Sequence, residues 1–358
     1  MEIKKIEFRK LRIVLPEPFR VAFSEITHSE NVLVKVTTDE GIVGYGEAAP
    51  IAFVTGETAD SVVSILEMLR PGLLGLNPLA VDQIHQRMNS AVQGNSSTRC
   101  AIDLALYDIR GKVMGKPVYQ LLGGGNGVVV NDITIGIDTP EKMAAIAKEY
   151  VEELGYRILK VKAGINPQED IRALQLIREA VGKEIRLRVD ANQGYSIHDA
   201  LSVFAPFKAL GVEAIEQCLP AWDFEGAVFL RNKADGIQLM LDESIHGPKD
   251  AARACKLGAA DILNIKLMKS GGLYPAEQIS AIADASGLTC MVGCMLETRL
   301  GITAGLSLVA AKHNVTEADC DGFRHYNENE IGVTGGFTFE GDQFTLSEAP
   351  GFGVEVAF

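Results

Sequence analysis

Five charged residues interrupt apolar runs at one recurring interval. Lys162 closes the run KVK, Asp190 closes RLRVD, Glu216 follows VEAI, Asp242 follows IQLML, and Lys266 stands in LNIKL. The spacings of 28, 26, 26 and 24 residues each suit one strand-plus-helix unit. If such units close into a barrel, the five side chains come from successive strands at their C-terminal ends, where barrel active sites form. Three acids then converge with a lysine on either side. Carboxylates gathered at one place repel unless a cation neutralises them. All-oxygen ligation by Asp190, Glu216 and Asp242 favours Mg2+ first, with Mn2+ as a substitute, and the lack of a His/Cys set argues against zinc. The lysines are candidate bases. An ordinary lysine, with a pKa of about 10.4, is protonated at neutral pH, so a base needs that value lowered by a nearby positive charge. Lys160, two residues before Lys162 and on the same strand face, is placed to do this; a plain ion-pair role for Lys160 is the alternative.

Such residues need elements to hold them. Residues 2–15 alternate with period two, and 31–48 read as two strands around the turn Asp39-Glu40-Gly41. Helical patterns follow near 57–70, 80–91 and 97–114, the last with Ile102, Leu106, Ile109 and Val113 on one stripe. The glycine cluster at 121–127 marks a domain boundary. From 128, strand and helix alternate. Eight strand candidates run from VVVNDITIGI through RILKVKA and IRLRVDANQ to VTEADCD, with helix-length segments such as 168–181, 196–210 and 248–257 between them. That rhythm predicts an α/β fold with a closed parallel barrel. The tail, from GGFTFEGDQF onward, reads as short strands able to return to the first domain.

Composition narrows the function classes. At 358 residues the chain holds about two domains by the usual size of ~150 residues each, or one barrel with an attachment. A 47% apolar content excludes a wholly disordered chain. A net charge of −13 argues against nucleic acid or an anionic membrane as the main partner. Six cysteines without a CxxC pair suit free thiols in a reducing, cytoplasmic setting. The first residues carry no continuous apolar core, so no signal peptide is expected, and no run is long enough to predict a membrane span. Neither GxGxxG after a strand, nor GxxxxGK[ST], nor HExxH occurs.

Taken together, Lys160-Val161-Lys162, Asp190-Ala191-Asn192, Glu216-Gln217, Asp242-Glu243-Ser244 and Asn264-Ile265-Lys266-Leu267 resemble the muconate-lactonizing branch of the enolase superfamily. GYGEAAP near the start, ALYDIRGK at 105–112 and GCMLE at 293–297 extend the resemblance over nearly the whole chain. It implies a modified (β/α)7β TIM-type barrel over 125–322. An α+β capping domain would cover it, built from 1–124 and the returning segment 323–358. It also implies Mg2+-assisted removal of a proton α to a carboxylate through an enediolate, chemistry already established for the superfamily rather than read from these residues. With Lys162 and Lys266 on opposite faces, the expected reaction is a 1,1-proton transfer, an isomerase activity. Which lysine serves which stereoisomer stays open.

Asp319-Cys320-Asp321 resembles the DxD motif with which dipeptide epimerases hold the free α-ammonium of a dipeptide. The implied substrate is a small L-Ala-L-Xaa-type dipeptide that reacts at its second residue. By resemblance, Thr134 helps bind the peptide and Glu297 supports the pocket. The second side chain is less defined. Ser24 stands where the L-Ala-D/L-Glu members carry an arginine, and Ile51 where members preferring cationic dipeptides place an acid. Phe23, Ile51 and Phe53 are candidates for an apolar wall, while Arg299 or Arg324 could still supply a positive charge for glutamate; Glu25 and His325 carry no assigned role. Cys218, in EQC where the family shows EQP, reads as a small apolar substitute. Two alternatives remain. The first is another enzyme of the subgroup: an N-acylamino acid racemase, an o-succinylbenzoate synthase or a cycloisomerase. The second is a noncatalytic barrel that binds a ligand. A homo-oligomer is compatible with all of them.

Overall fold

The computed structural model describes residues 1–21 and 24–358; the side chains of Phe19, Val21 and Ser24 lie outside that description. The N-terminal alternation forms an antiparallel meander of β1 (Ile3–Val21), β2 (Ser24–Thr38) and β3 (Val43–Ala48), longer at its first hairpin than the period-two pattern predicts. The helices that follow are α1 (Ala52–Thr55), α2 (Ala59–Leu73), α3 (Val81–Ala91), α4 (Ser96–Met114) and α5 (Val118–Leu121). Helix α4 is buried nearly all round, so its stripe is less a face than part of a core; Val113, at its end, is in fact exposed. Strand β3 lies directly on α4. A Cβ on Gly44 or Gly46 would come within 2.1 Å of Ala105 O or 1.8 Å of Ala101 O, which is why GYGE needs both glycines.

The expected first barrel strand divides in two. Val128–Val130, β4, leaves the barrel, and Ile133–Ile135, β5, begins it. The barrel continues as β6 (Ile158–Lys162), β7 (Arg186–Asp190), β8 (Val212–Glu216), β9 (Gln238–Leu241), β10 (Ile262–Lys266), β11 (Thr289–Gly293) and β12 (Val315–Asp319). All eight are parallel neighbours in chain order, and the two ends meet where Asp132 N donates to Ala318 O at 3.0 Å. Every residue of β6 and β10 is buried, as in a parallel strand with side chains on one face and helices on the other. Those helices are α6 (Pro140–Glu152), α7 (Pro167–Val181), α8 (Ile197–Ala209), α9 (Phe224–Arg231), α10 (Pro248–Leu257), α11 (Leu267–Ser270), α12 (Leu273–Ala285) and α13 (Arg299–Ala311).

In the tail, β13 (Val333–Gly335) pairs with β16 (Val354–Val356), and the hairpin β14 (Phe337–Glu340)–β15 (Gln343–Leu346) adds β4 as its third strand. The end of the chain does reach the cap: Phe352 N donates to Asp108 at 3.0 Å and Val118 N to Gly351 O at 2.9 Å.

Two carboxylates of the cap sit at the starts of barrel helices. Glu47 on β3 accepts hydrogen bonds from Thr298 N at 2.9 Å and Gly301 N at 3.1 Å, at the head of α13. Asp103 on α4 accepts from Leu273 N at 2.6 Å and Tyr274 N at 3.3 Å, at the head of α12. These N–H groups have no partner within their own helices, and negative charge is favoured there. Among the described residues no helix is long and apolar enough to cross a membrane.

Candidate active site

Strand register brings the charged residues to one end of the barrel. Lys162 lies opposite Asp190, and Asp190 opposite Glu216; farther round, Lys266 lies opposite Gly293, and Gly293 opposite Asp319. Position 293 must be small, because a Cβ there would stand 2.8 Å from Asn264 Oδ1 and 3.0 Å from Lys266 Cε. A small apolar layer of Ala214, Met240, Ile262 and Met291 fills the barrel interior, and Arg188, paired with Asp132 at 2.9 Å, neutralises a second buried acid inside it.

Asp190, Glu216 and Asp242 are buried, and each faces a lysine. Lys160 Nζ is 2.6 Å from Asp319, 2.8 Å from Glu216 and 3.1 Å from Asp190. Lys162 Nζ is 2.6 Å from Asp190, and Lys266 Nζ 2.8 Å from Asp242. Lys160 therefore joins three carboxylates. Burial disfavours its charge, but Asp319, Glu216 and Asp190 outweigh that and raise its pKa well above the ordinary value. Lys266 is likewise raised: burial opposes the charge and Asp242 prevails. Asp190 and Asp242 fall well below the carboxylate range, Lys162 and Lys266 respectively overcoming the burial penalty. Glu216, pushed by burial and by Asp190, stands at about 7, and Glu243, pushed by burial and by Asp242, at about 8.

Among the described residues no three His, Cys, Asp or Glu groups are drawn together as a ready cation cage, because the acids lean toward their lysines. The donor chemistry nonetheless fits a hard cation. Three carboxylates end adjacent strands, and two buried oxygens beside them accept no hydrogen bond: Glu243 Oε2 and Asn192 Oδ1. Lys269 Nζ lies 2.5 Å from Asp242 Oδ1 as its ion-pair partner.

Spacing alone missed the residues that steady this arrangement. Gln217 Oε1 accepts from Asp242 N at 2.9 Å and Ser244 N at 3.2 Å, tying the end of β8 to the end of β9. Asn192 bridges Asp190 and Glu243, and Asn264 donates to Glu216. Asn192, Gln193 and Gln217 have φ values of 40°, 66° and 37°, left-handed backbone immediately after two of the acids. Lys269, fully buried, donates to the carbonyls of Asp242 and Asn264. Its spacing of three from Lys266, next to the motif, is the one signal that could have singled it out.

Across the mouth, Thr134 links the DxD pair: its N donates to Asp321 at 2.7 Å, and its hydroxyl to Asp319 at 3.3 Å. A cavity joins Thr134, Lys160, Lys162, Lys266, Asp319 and Asp321 to Ile51 and Phe53. Phe23 lies outside the described residues, as does the side chain of Ser24. Neither expected arginine reaches this cavity. Arg299 is held by Glu328 at 3.0 Å and Gly335 O at 2.7 Å and stacks on Phe337. Arg324 stacks on Phe339 and donates to Tyr156 at 3.1 Å. Glu25 is paired with Arg20 at 2.6 Å. Glu297 is buried under the loop it belongs to, accepting from Met295 N at 2.6 Å, and burial together with Glu47 raises it to about 8. Cys218 is buried, with its thiol pushed up to about 12 by burial.

Residues 5–123 match the mandelate racemase/muconate lactonizing enzyme N-terminal domain, and residues 142–357 match the enolase C-terminal domain-like family. The chain belongs to the mandelate racemase/muconate lactonizing enzyme family of the enolase superfamily. An L-Ala-D/L-Glu epimerase of Clostridium acetobutylicum is 38% identical, with 99% of each chain aligned. A crystal structure of a dipeptide epimerase from Enterococcus faecalis with Mg and L-Leu-L-Tyr is 39% identical, has a TM-score of 0.96, and aligns over 99% of this chain and 100% of that one. A substrate-liganded L-Ala-D/L-Glu epimerase of Bacillus subtilis is 36% identical, also with a TM-score of 0.96 and with both chains covered in full. Family members of different dipeptide preference are thus about equally similar to this chain, and identity does not select the second side chain.

Proposed function

We propose that this protein is a Mg2+-dependent dipeptide epimerase, an isomerase that inverts the second residue of an L-Ala-L-Xaa-type dipeptide. Asp319 and Asp321, joined through Thr134 and sharing one cavity with Lys162 and Lys266, carry this reading. A free α-ammonium would sit by the two acids, which places the carboxylate end of the dipeptide at the barrel acids and its second Cα between Lys162 and Lys266. Asp190, Glu216 and Asp242 would hold the metal. When bound, it supplies a Lewis-acid positive charge to the substrate carboxylate. One lysine removes the α-proton, the enediolate forms, and the lysine on the other face returns a proton. The ammonium of Lys160, fixed among acids, lends standing positive charge to that side of the site. Residues 1–124 and the segment 323–358 would form the cap over a barrel spanning 125–322.

The test is a mass-spectrometric screen of L-Xaa-L-Xaa dipeptides in D2O that scores deuterium at the second Cα, with and without EDTA. Incorporation that EDTA abolishes and Mg2+ or Mn2+ restores is the expected outcome. Exchange confined to N-acyl amino acids overturns the dipeptide reading in favour of an N-acylamino acid racemase.

A further inference from the structure

The wall of the cavity on the cap side has two zones. Ile26, Ile51, Phe53 and Leu296 line both the inner cavity that holds the lysines and a second, outer cavity of about 310 Å³. These four apolar side chains therefore form a collar between the two. Two come from the loop after β3 and its short helix, one from β2 and one from the loop after β11, so cap and barrel build it jointly. Asn31 Nδ2 donates to Leu296 O at 2.9 Å and holds the barrel's member of the collar against the cap. Beyond the collar, the described residues that line the outer cavity include Glu25, Glu30, Glu57 and His28 and no lysine or arginine. Glu57 spends its oxygens on Ser97 N at 2.8 Å and Thr98 N at 3.0 Å, and Glu25 is paired with Arg20. Lys160, Lys162 and Lys266 in the inner cavity are paired with carboxylates, and His325 also lines it.

We infer that this collar and outer cavity receive the side chain of the dipeptide's second residue, and that they select a long, non-anionic one. The inference rests on the dipeptide reading above. An apolar stem gains by leaving water between Ile26, Ile51, Phe53 and Leu296. The end of such a side chain emerges among carboxylates, where a methyl, an amide or a positive group is tolerated and a carboxylate is repelled. With Arg299 and Arg324 bound elsewhere, a second-residue glutamate meets no described arginine in either cavity, so L-Ala-L-Glu is a poor substrate. The order of preference is Met above Gln and Lys, and all three above Glu.

A matched series, L-Ala-L-Met, L-Ala-L-Gln, L-Ala-L-Lys and L-Ala-L-Glu, tests this with side chains of similar reach. The expected kcat/KM for L-Ala-L-Glu is about 100-fold or more below that for L-Ala-L-Met, the scale on which a mismatched pocket discriminates. Ile51→Arg places a cation in the collar and should raise the Glu-to-Met ratio by about 10-fold or more. Glu30→Arg, at an exposed position, should move the ratio the same way should the collar variant fail to fold. L-Ala-L-Glu turned over as fast as L-Ala-L-Met overturns the inference and leaves the epimerase reading standing. Ratios unmoved in both folded variants also overturn it. Exchange of N-acyl amino acids with none of the four dipeptides defeats the epimerase reading itself, and the inference with it.

Discussion

The barrel mouth and the collar above it are built on opposite principles. At the mouth, charged groups stand on strand ends whose register is set by continuous backbone pairing, and each buried charge has a partner within about 3 Å. In the collar, apolar groups come from a strand and two loops of two separate units, tied by side-chain-to-backbone contacts such as Asn31 to Leu296. A register cannot drift by a fraction of a residue, because a one-residue slip reverses every side chain. A loop wall can be repacked at modest cost. The contrast puts the candidate chemistry on register-fixed strand ends and the inferred second-residue selection on loops that tolerate repacking.

The largest effects should come from the barrel lysines. Lys162→Ala and Lys266→Ala should each cost roughly 10³-fold or more in epimerisation, the range for losing a positioned acid–base group. Each should still exchange the α-proton of one stereoisomer in D2O, the isomer whose proton faces the surviving lysine. Full epimerisation in both variants would refute the two-base scheme.

Asp321→Asn stands between the two regions, since on the proposed reading Asp321 would meet the substrate's ammonium through its charge. Its Oδ2 accepts from Thr134 N, and an asparagine oxygen can keep that bond. The loss of one charge-assisted contact should lower kcat/KM by about 10- to 150-fold, with most of the change in KM. Steady-state kinetics on the preferred dipeptide checks this.

Glu47→Ala strikes the support of the collar. It leaves Thr298 N and Gly301 N without their buried acceptor, at a cost of about 1–3 kcal/mol, and thermal unfolding should report it. Because Glu47 also accepts from Asn31 at 2.7 Å, and Asn31 holds Leu296 O, the loop at 294–297 loosens and KM should rise more than kcat falls. An equal fall in kcat and kcat/KM would place the effect at the mouth and break the comparison.

The smallest effect is on pH dependence. Glu297 titrates at about 8 in the folded chain because it is buried beside Glu47, whereas an unfolded glutamate titrates at about 4.3. Its pKa is raised on folding, so the stability it contributes is complete below about pH 4.3 and is lost as pH rises through about 8. Glu297→Gln cannot titrate, and its melting temperature should vary less between those limits, by a few degrees. Identical pH profiles for the two proteins would show that Glu297 is not held protonated.

Much of the mouth was legible because a βα unit has a near-constant length, so Lys162, Asp190, Glu216, Asp242 and Lys266 announce their common level through spacing alone. The helices over 59–73, 81–91 and 96–114 follow the same logic of apolar period. What failed to show was anything set by partners distant in sequence. The break between β4 and β5 depends on β15, some two hundred residues away, claiming Val128–Val130. Arg299 and Arg324 looked available for a substrate until the tail supplied Glu328, Phe337 and Phe339 to occupy them. Gln217 and Lys269 act on backbone groups of other strands, which no local pattern records.

The carboxylates Glu47 and Asp103 carry one more implication, for the order in which the chain is made. Their partners at the heads of α13 and α12 lie 251 and 170 residues farther along. At a synthesis rate of about 5–20 residues per second, Glu47 waits roughly 10–50 s on the ribosome before Thr298 exists. Through that interval Glu47 and Asp103 have only their partners within the cap, Asn31 at 2.7 Å and His85 at 2.7 Å, and the N–H groups that complete their hydrogen bonding arrive with the last third of the barrel.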